Sequence, residues 1–479
     1  MDRASKGTFL LFASQGILLA ISFFLNGFLG RSLGPADFGA FGIILLINLT
    51  LVTLLSAGIS AESTRLIAAN PSKAKEINQE ATKHLVILSI ATALIVYFSS
   101  SFIANLLGNK NLAGLLQFST ILIPLQTLFS QQTAFVNGLQ EFKKQALGNV
   151  VFAVSKAVFA VILLVIGYNL FGAILAYALA PVIGYLFLFK KPVEKKYAFN
   201  YSNLLAFAVP YSLSAVALSL MNNIDLLFVQ TLIQNAGTTG QYLAASNISR
   251  LFPTIFGIAG VVLFPIIAKQ KNNSRKYLKL FSKYFSLIII PVLFFLAAAS
   301  YNFITAIYSE TYVQATTFFP MLMASAVLAS ITFTLFAVLN ALGKTKTTLY
   351  LTALAIITQV SLLYALISSN SAMGAAYAML ASNTVITLIT FLLVTKKIGS
   401  FVDYKTLAKT ILIGAVVTVL IFLTNPLLSS KWLILIQIPA AFLLFFYSCI
   451  KLGVIKKEDK NFIKTALPSR TAFLVDWFF

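Results

Sequence analysis

About fourteen apolar runs, each long enough to cross a bilayer as a helix, divide this chain from one end to the other. They fall at 8–30, 38–61, 84–107, 113–136, 146–167, 169–189, 204–230, 241–268, 280–307, 315–342, 348–368, 372–395, 406–425 and 432–452. Inside hydrocarbon every backbone N–H and C=O must find a protein partner, so only helices and closed barrels can span. The runs are too long for barrel strands and lack their period-2 alternation. An all-α polytopic membrane protein follows. Composition agrees, because 59% hydrophobic and 10% charged residues, with a mean hydropathy of +0.90, leave too little charge to cover a soluble surface of 479 residues. The first run follows Arg3 and Lys6 as a signal peptide would. It is too long for one and has no small-residue cleavage site, so it reads as a helix.

The net charge of +22 has its origin in the loops. Alternate connections carry Lys73/Lys75, Lys143/Lys144, Lys190/Lys191/Lys195/Lys196, Lys269/Lys271/Arg275/Lys276, Lys344/Lys346 and Lys396/Lys397/Lys405. The connections between them hold only Arg31 with Asp37, Lys110, Glu310 and Lys431 as charges. A miscounted helix would scramble this alternation. The positive-inside rule therefore places both termini in the cytoplasm of a multi-pass inner or plasma membrane protein and leaves no call for nucleic acid as a partner. After Lys451 the tail mixes Lys456, Lys457, Lys460, Lys464 and Arg470 with Phe462, Phe473, Trp477 and Phe478, which suits a strip lying on the inner membrane surface.

Several chemistries are excluded. A single cysteine, Cys449, permits neither an internal disulfide nor a thiolate cluster, and a single histidine, His84, makes a histidine metal site implausible. There is no GxxxxGK[ST] phosphate loop and nothing with the look of a catalytic triad. A transporter without cofactor or metal is expected rather than an enzyme.

Two short patterns recur about two hundred residues apart. Asn137-Gly138-Leu139, with Lys143 after it, closes the fourth run; Asn340-Ala341-Leu342, with Lys346 after it, closes the tenth, 203 residues on. Gly39-Ala40-Phe41 opens the second run and Gly240-Gln241-Tyr242 the eighth, 201 residues on. A duplicated unit of six spans keeps its orientation, so two six-helix lobes should be related by a pseudo-two-fold axis along the membrane normal, with a cleft between them. The division expected is 1–199 for the first lobe, 200–399 for the second, 400–452 for two additional transmembrane helices and 453–479 for the interfacial tail.

Polar groups at mid-depth mark the candidate site. Lys156 and Arg250 each lie some ten residues inside an apolar run, about 15 Å into the bilayer at ~1.5 Å per residue. Such a charge costs at least ~3 kcal/mol on insertion scales and usually faces protein or water. Asn149 shares the face of Lys156, and Asn247, Thr254 and Gly257 share that of Arg250. The seventh run carries Tyr211, Ser214, Asn222 and Asp225, and the first Gln15, Ser22 and Asn26. The hydroxyl positions suit ordinary helix packing equally well. Asp225 could neutralise Arg250 one connection away, whereas Lys156 has no acid in its own run or the adjacent ones; 203 residues on from it stands Gln359. Arg31 with Asp37 and Arg65 with Glu62 stand at run ends, where local pairing or snorkelling accounts for them.

Gly30-Arg31-Ser32-Leu33-Gly34-Pro35 with Phe38-Gly39, then Asp225, Gly240-Gln241-Tyr242-Leu243-Ala244-Ala245 and Asn340-Ala341-Leu342-Gly343-Lys344, resemble the polysaccharide-export flippases of the multidrug/oligosaccharidyl-lipid/polysaccharide exporter superfamily. The likeness covers almost the whole chain. It implies a two-lobed helical monomer that turns lipid-linked oligosaccharides from the inner to the outer leaflet, its cationic cavity receiving sugar or pyrophosphate while the lipid stays in the bilayer. Lys156 and Arg250 are the candidates for that cavity, with Asn247, Asn149, Asn26, Gln15 and Asn222 as further substrate contacts and Arg31 and Arg65 at its edge. Asp225 is the candidate for ion coupling or charge pairing. Expected partners are the lipid-linked glycan, membrane lipids, and a polysaccharide polymerase or glycosyltransferases. The competing reading is a cation-coupled multidrug antiporter of the same superfamily, which would need several embedded acids where this chain offers one against two cations.

Overall fold

The computed structural model describes residues 3–190, 197, 201–269, 273–425, 431–455 and 459. The basic-aromatic tail 453–479 lies almost wholly outside the described residues, as do Lys191, Lys195, Lys196 and Lys271. Fifteen α-helices make up the described chain: α1 (Arg3–Ala69), α2 (Ala74–Leu106), α3 (Leu112–Ser119), α4 (Leu122–Gly138), α5 (Phe142–Val165), α6 (Asn169–Leu188), α7 (Tyr201–Ile233), α8 (Ala236–Ser249), α9 (Leu251–Lys269), α10 (Ser274–Ala298), α11 (Ser300–Ile307), α12 (Ala315–Ala341), α13 (Thr345–Ile398), α14 (Tyr404–Thr424) and α15 (Ile434–Lys451). Among the described residues there is no strand. The protein is a multi-pass membrane protein.

Twelve helices are long and apolar enough to cross a membrane among the described residues. Two local breaks interrupt the runs expected from the sequence. The candidate Ala13–Ala69 holds the first two runs, parted at Gly34, whose φ of 72° and ψ of 170° are not helical. Glycine takes this conformation freely, and Pro35 after it disfavours a helical residue before it. The run 241–268 is divided at Arg250 between α8 and α9.

That second break corrects the reading of a single helix with one polar stripe. Pro253 lacks an N–H and its ring would strike the carbonyl of Ser249, four residues back. In the first turn of a new helix the missing N–H has no cost, so α8 ends at Ser249 and α9 begins at Leu251. Arg250 therefore sits in a turn, and its carbonyl accepts from Thr254 Oγ1 at 3.1 Å. The periodicity that aligned Asn247 with Thr254 and Gly257 does not run through it.

The two repeated tripeptides close their helices alike, with a turn that also ends α2, α5 and α15. After α4, Leu139, Gln140 and Glu141 donate their amides to the carbonyls of Phe135, Asn137 and Val136, at 3.1, 2.8 and 3.1 Å. After α12, Leu342, Gly343 and Lys344 do the same to Val338, Asn340 and Leu339, at 3.0, 2.9 and 2.9 Å. Every partner is offset by 203 residues. Both turns place a left-handed residue at the same step, Gln140 at φ 57° and Gly343 at φ 79°, as such helix ends require.

The chain forms two compact units. The first comprises Met1–Asn247 with Leu363–Ala375, and the second Ile248–Leu362 with Ala376–Phe479. In the first, Ile59, Ile67, Ile77, Leu85, Phe129, Phe135, Leu188 and Ala208 form a core joining α1, α2, α4, α6 and α7. In the second, Leu287, Phe295, Ile413, Val417, Phe445 and Cys449 join α10, α14 and α15.

The start of α14 is fixed by a cap, since Asp403 Oδ1 accepts from the Thr406 amide at 3.3 Å. That bond, helped by Lys279 nearby, holds the Asp403 carboxyl below the usual carboxylate range. A folded-state pKa below the unfolded one gives stability that is present above about pH 4 and is lost as pH falls further. Asp403→Ala is expected to cost about 1 kcal/mol. Thermal melting in detergent at pH 7 checks this, and the difference from wild type should shrink towards pH 3.

Candidate functional site

Lys156 lies in the middle of α5, only 8% exposed. Its ammonium stands over two aromatic rings, 4.8 Å from the centre of Tyr177 on α6 and 5.3 Å from that of Phe152, one turn back on its own helix. Each ring has a further aromatic neighbour packed against it. Phe41 of α1 packs edge-on against Tyr177 at 5.2 Å and 83°, and Phe129 of α4 stacks on Phe152 at 4.7 Å and 20°. Three neighbouring helices therefore build the seat of one cation. Among the described residues no carboxylate comes within ion-pair distance of Lys156. Aromatic faces carry negative quadrupole potential and attract a cation without neutralising it. The site keeps a net positive charge.

The other charged candidates divide. Glu62 is buried, and Arg65 forks onto it, Nε to Oε2 at 2.8 Å and the other arm to Oε1 at 2.5 Å. This is the local pairing expected of a run end. Arg65 itself is exposed, with its guanidinium 5.9 Å from the ring centre of Phe207. Arg31 and Asp37 are both exposed, on either side of the Gly34 break. Asp225 is 1% exposed and accepts a hydrogen bond of 2.8 Å from the hydroxyl of Tyr242. Arg250 is half-buried in its turn.

Of the neutral candidates, Asn149 is half-buried two turns before Lys156 on α5, Asn26 and Asn247 are half-buried, and Gln15 is exposed. Asn222 donates to the carbonyl of Leu218 at 2.8 Å, within its own helix. Arg250 belongs to the second unit, and the remaining candidates belong to the first.

The structure adds residues that reading the runs passed over. Tyr177, Phe152 and Tyr242 touch the charged candidates directly. A buried hydrogen-bond chain also crosses the first unit: Ser60 donates to Gln131 at 2.9 Å, Gln131 to Ser63 and Asn78 at 2.9 and 3.1 Å, Asn78 to Gln132 at 3.2 Å, and Gln132 to the Leu188 carbonyl at 2.9 Å. The chain ties α1, α2, α4 and α6 to one another through side-chain hydrogen bonds. The pair Gln131-Gln132 inside an apolar run was its visible signal.

Gly39 and Gly240, the two glycines of the repeat, face each other. A Cβ on Gly39 would strike the Ala236 carbonyl and lie 2.6 Å from the Gly240 amide nitrogen. One on Gly240 would strike the Pro35 carbonyl and lie 3.1 Å from the Gly39 nitrogen. Each glycine thus meets the backbone four residues before the other, and a local two-fold relates the two helix starts. Phe41 and Tyr242 stand two residues beyond, at equivalent places in the repeat.

The chain as a whole matches known proteins. A model of the polysaccharide biosynthesis protein family matches residues 28–317. An uncharacterized membrane protein of Methanocaldococcus jannaschii is 24% identical over 274 residues, 53% of this chain and 64% of its own length, so this chain spans less than two thirds of that relative. Among solved structures, the lipid II flippase MurJ in an inward closed conformation superposes with a TM-score of 0.78 at 17% identity, covering 92% of this chain and 98% of that one. An inward-facing multidrug resistance MATE family transporter of the MOP superfamily gives 0.63 at 15% identity, over 80% and 94%. The fold is the one these transporters share.

Proposed function

This chain belongs to the polysaccharide biosynthesis protein family, and from that premise we propose that it is a flippase moving a lipid-linked pyrophosphate oligosaccharide from the cytoplasmic to the outer leaflet by alternating access. One observation carries the reading: Lys156 is buried at mid-span with aromatic faces around it and, among the described residues, no acid within ion-pair distance. Holding an ammonium at such a depth costs about 2.5–3.5 kcal/mol. Ring faces return roughly 0.5–2 kcal/mol. An arriving phosphate closes that gap, because a charge-assisted hydrogen bond gains strength where water is excluded. A transporter of organic cations would have no use for this charge.

Arg250, in the turn between α8 and α9, is the second anion receiver. Asn149, Asn247, Asn26, Gln15 and Asn222 offer hydrogen bonds to sugar hydroxyls, with Arg31 and Arg65 at the rim. Asp225 is the ion-coupling candidate. The lysine-rich connections and both termini face the cytoplasm, in the cell membrane where polymerase and glycosyltransferases would meet the product.

The test is reconstitution into liposomes containing lipid-linked oligosaccharide, scoring transfer between leaflets with and without ion gradients. Wild type is expected to move the glycan lipid, and the Lys156→Ala/Arg250→Ala double variant to be inactive at equal expression. Normal movement by the double variant, or export of ethidium without movement of glycan lipid, defeats the reading.

A further inference from the structure

The surroundings of Lys156 have a second meaning. Two braced ring faces at 4.8 and 5.3 Å from one ammonium have the composition of an aromatic cage for an organic cation. Here the cation is the chain's own side chain, delivered from α5. We propose that Lys156 is a specificity-determining residue that fills this cage: its tethered ammonium occupies the place a free alkylammonium would take, so the first unit refuses organic cations while presenting positive charge to an anion. This inference rests on the anionic-substrate reading and extends it to what the site rejects.

The physical argument is one of occupancy. The rings are held by Phe41 and Phe129, both buried, so the cage does not depend on Lys156 to keep its shape. Removing the side chain beyond Cβ leaves a space bounded by π faces, with no carboxylate among the described residues within ion-pair distance of the ammonium it replaces. A small alkylammonium replaces what was lost in both charge and length. Methionine, of nearly the same length and uncharged, fills the space without supplying a cation.

The experiment is thermal melting of the full-length protein in detergent, titrated with n-propylammonium and, as an uncharged control, n-propanol. Lys156→Ala is expected to show a saturable rise of roughly 2 °C or more with propylammonium and none with propanol. Wild type and Lys156→Met should show no rise with either. Lys156→Ser, whose hydroxyl tolerates a wet cavity better, serves as a second cavity-forming variant and should behave as Lys156→Ala does. In liposomes, propylammonium should restore part of the glycan-lipid movement lost in these small variants.

Equal shifts in all proteins, or a folded Lys156→Ala or Lys156→Ser without a shift, would overturn the cage. Failure of Lys156→Met to move glycan lipid, combined with no propylammonium shift in the small variants, leaves the anion reading standing and removes only this inference. Normal movement by Lys156→Met, combined with the shift, removes the anion reading and with it the selective role of Lys156, leaving only a pocket that accepts an alkylammonium.

Discussion

Lys156→Met is expected to raise the melting temperature of the detergent-solubilised protein and to abolish movement of the glycan lipid. The two signs are opposite, and that opposition identifies a functional charge. The residue is 8% exposed and among the described residues has no acid within ion-pair distance, so the ammonium is held at a cost of about 2.5–3.5 kcal/mol against a return of roughly 0.5–2 kcal/mol from Tyr177 and Phe152. Methionine keeps the length, packs against both rings through its thioether and has no charge to bury. A gain of about 1–2 kcal/mol in stability follows from those terms. A charge held at a net cost to stability fits a role in activity rather than in folding. Melting and liposome transfer on the same preparation decide it: a destabilised Met variant would mean that Lys156 has a structural partner, and normal transfer would mean that the charge serves no substrate.

How much of this was legible in the residues differs from place to place. The place of Lys156 in the middle of a long apolar helix followed from its position within an apolar run, because rise per residue is a fixed quantity. Its seat did not, since Tyr177 belongs to the next helix and aromatic residues in apolar runs are ordinary. Arg250 shows the opposite failure. Its run was apolar throughout, so hydropathy gave one helix, yet Pro253 three residues on already carried the steric reason for a break after Ser249. The hydrogen bond from Tyr242 to Asp225 was hidden for a further reason: the two are 17 residues apart, on either side of the helix reversal between α7 and α8. The repeat was visible as matching tripeptides at Gly39 and Gly240. That the matched glycines touch each other is a statement about packing, and no spacing along one strand of sequence contains it.

The second large effect is expected at that contact. Gly240→Ala places a methyl group against the Pro35 carbonyl, and Gly39→Ala places one against the Ala236 carbonyl. Both obstacles are backbone, so no rotamer change relieves them and the two helix starts must separate. Overpacking of this kind costs typically 1–3 kcal/mol, and a backbone obstacle belongs at the upper end. The consequence for function is direct, because Phe41 braces Tyr177 beside Lys156 and Tyr242 holds Asp225, each two residues from its glycine. Separation at the crossing shifts both. Reciprocity also makes a prediction about the pair. Once one methyl has forced the helices apart, the second finds the space already open, so the Gly39→Ala/Gly240→Ala double variant should be less destabilised than the sum of the singles by about 1 kcal/mol or more. Gly114→Ala is the control, since a Cβ there meets nothing within 4 Å and alanine favours the helix. Chemical denaturation of the four variants in detergent, followed by glycan-lipid transfer, measures this. Additive losses at Gly39 and Gly240 would mean that the two glycines act on separate contacts, and full transfer by either single variant would mean that the crossing does not set the positions of Phe41 and Tyr242.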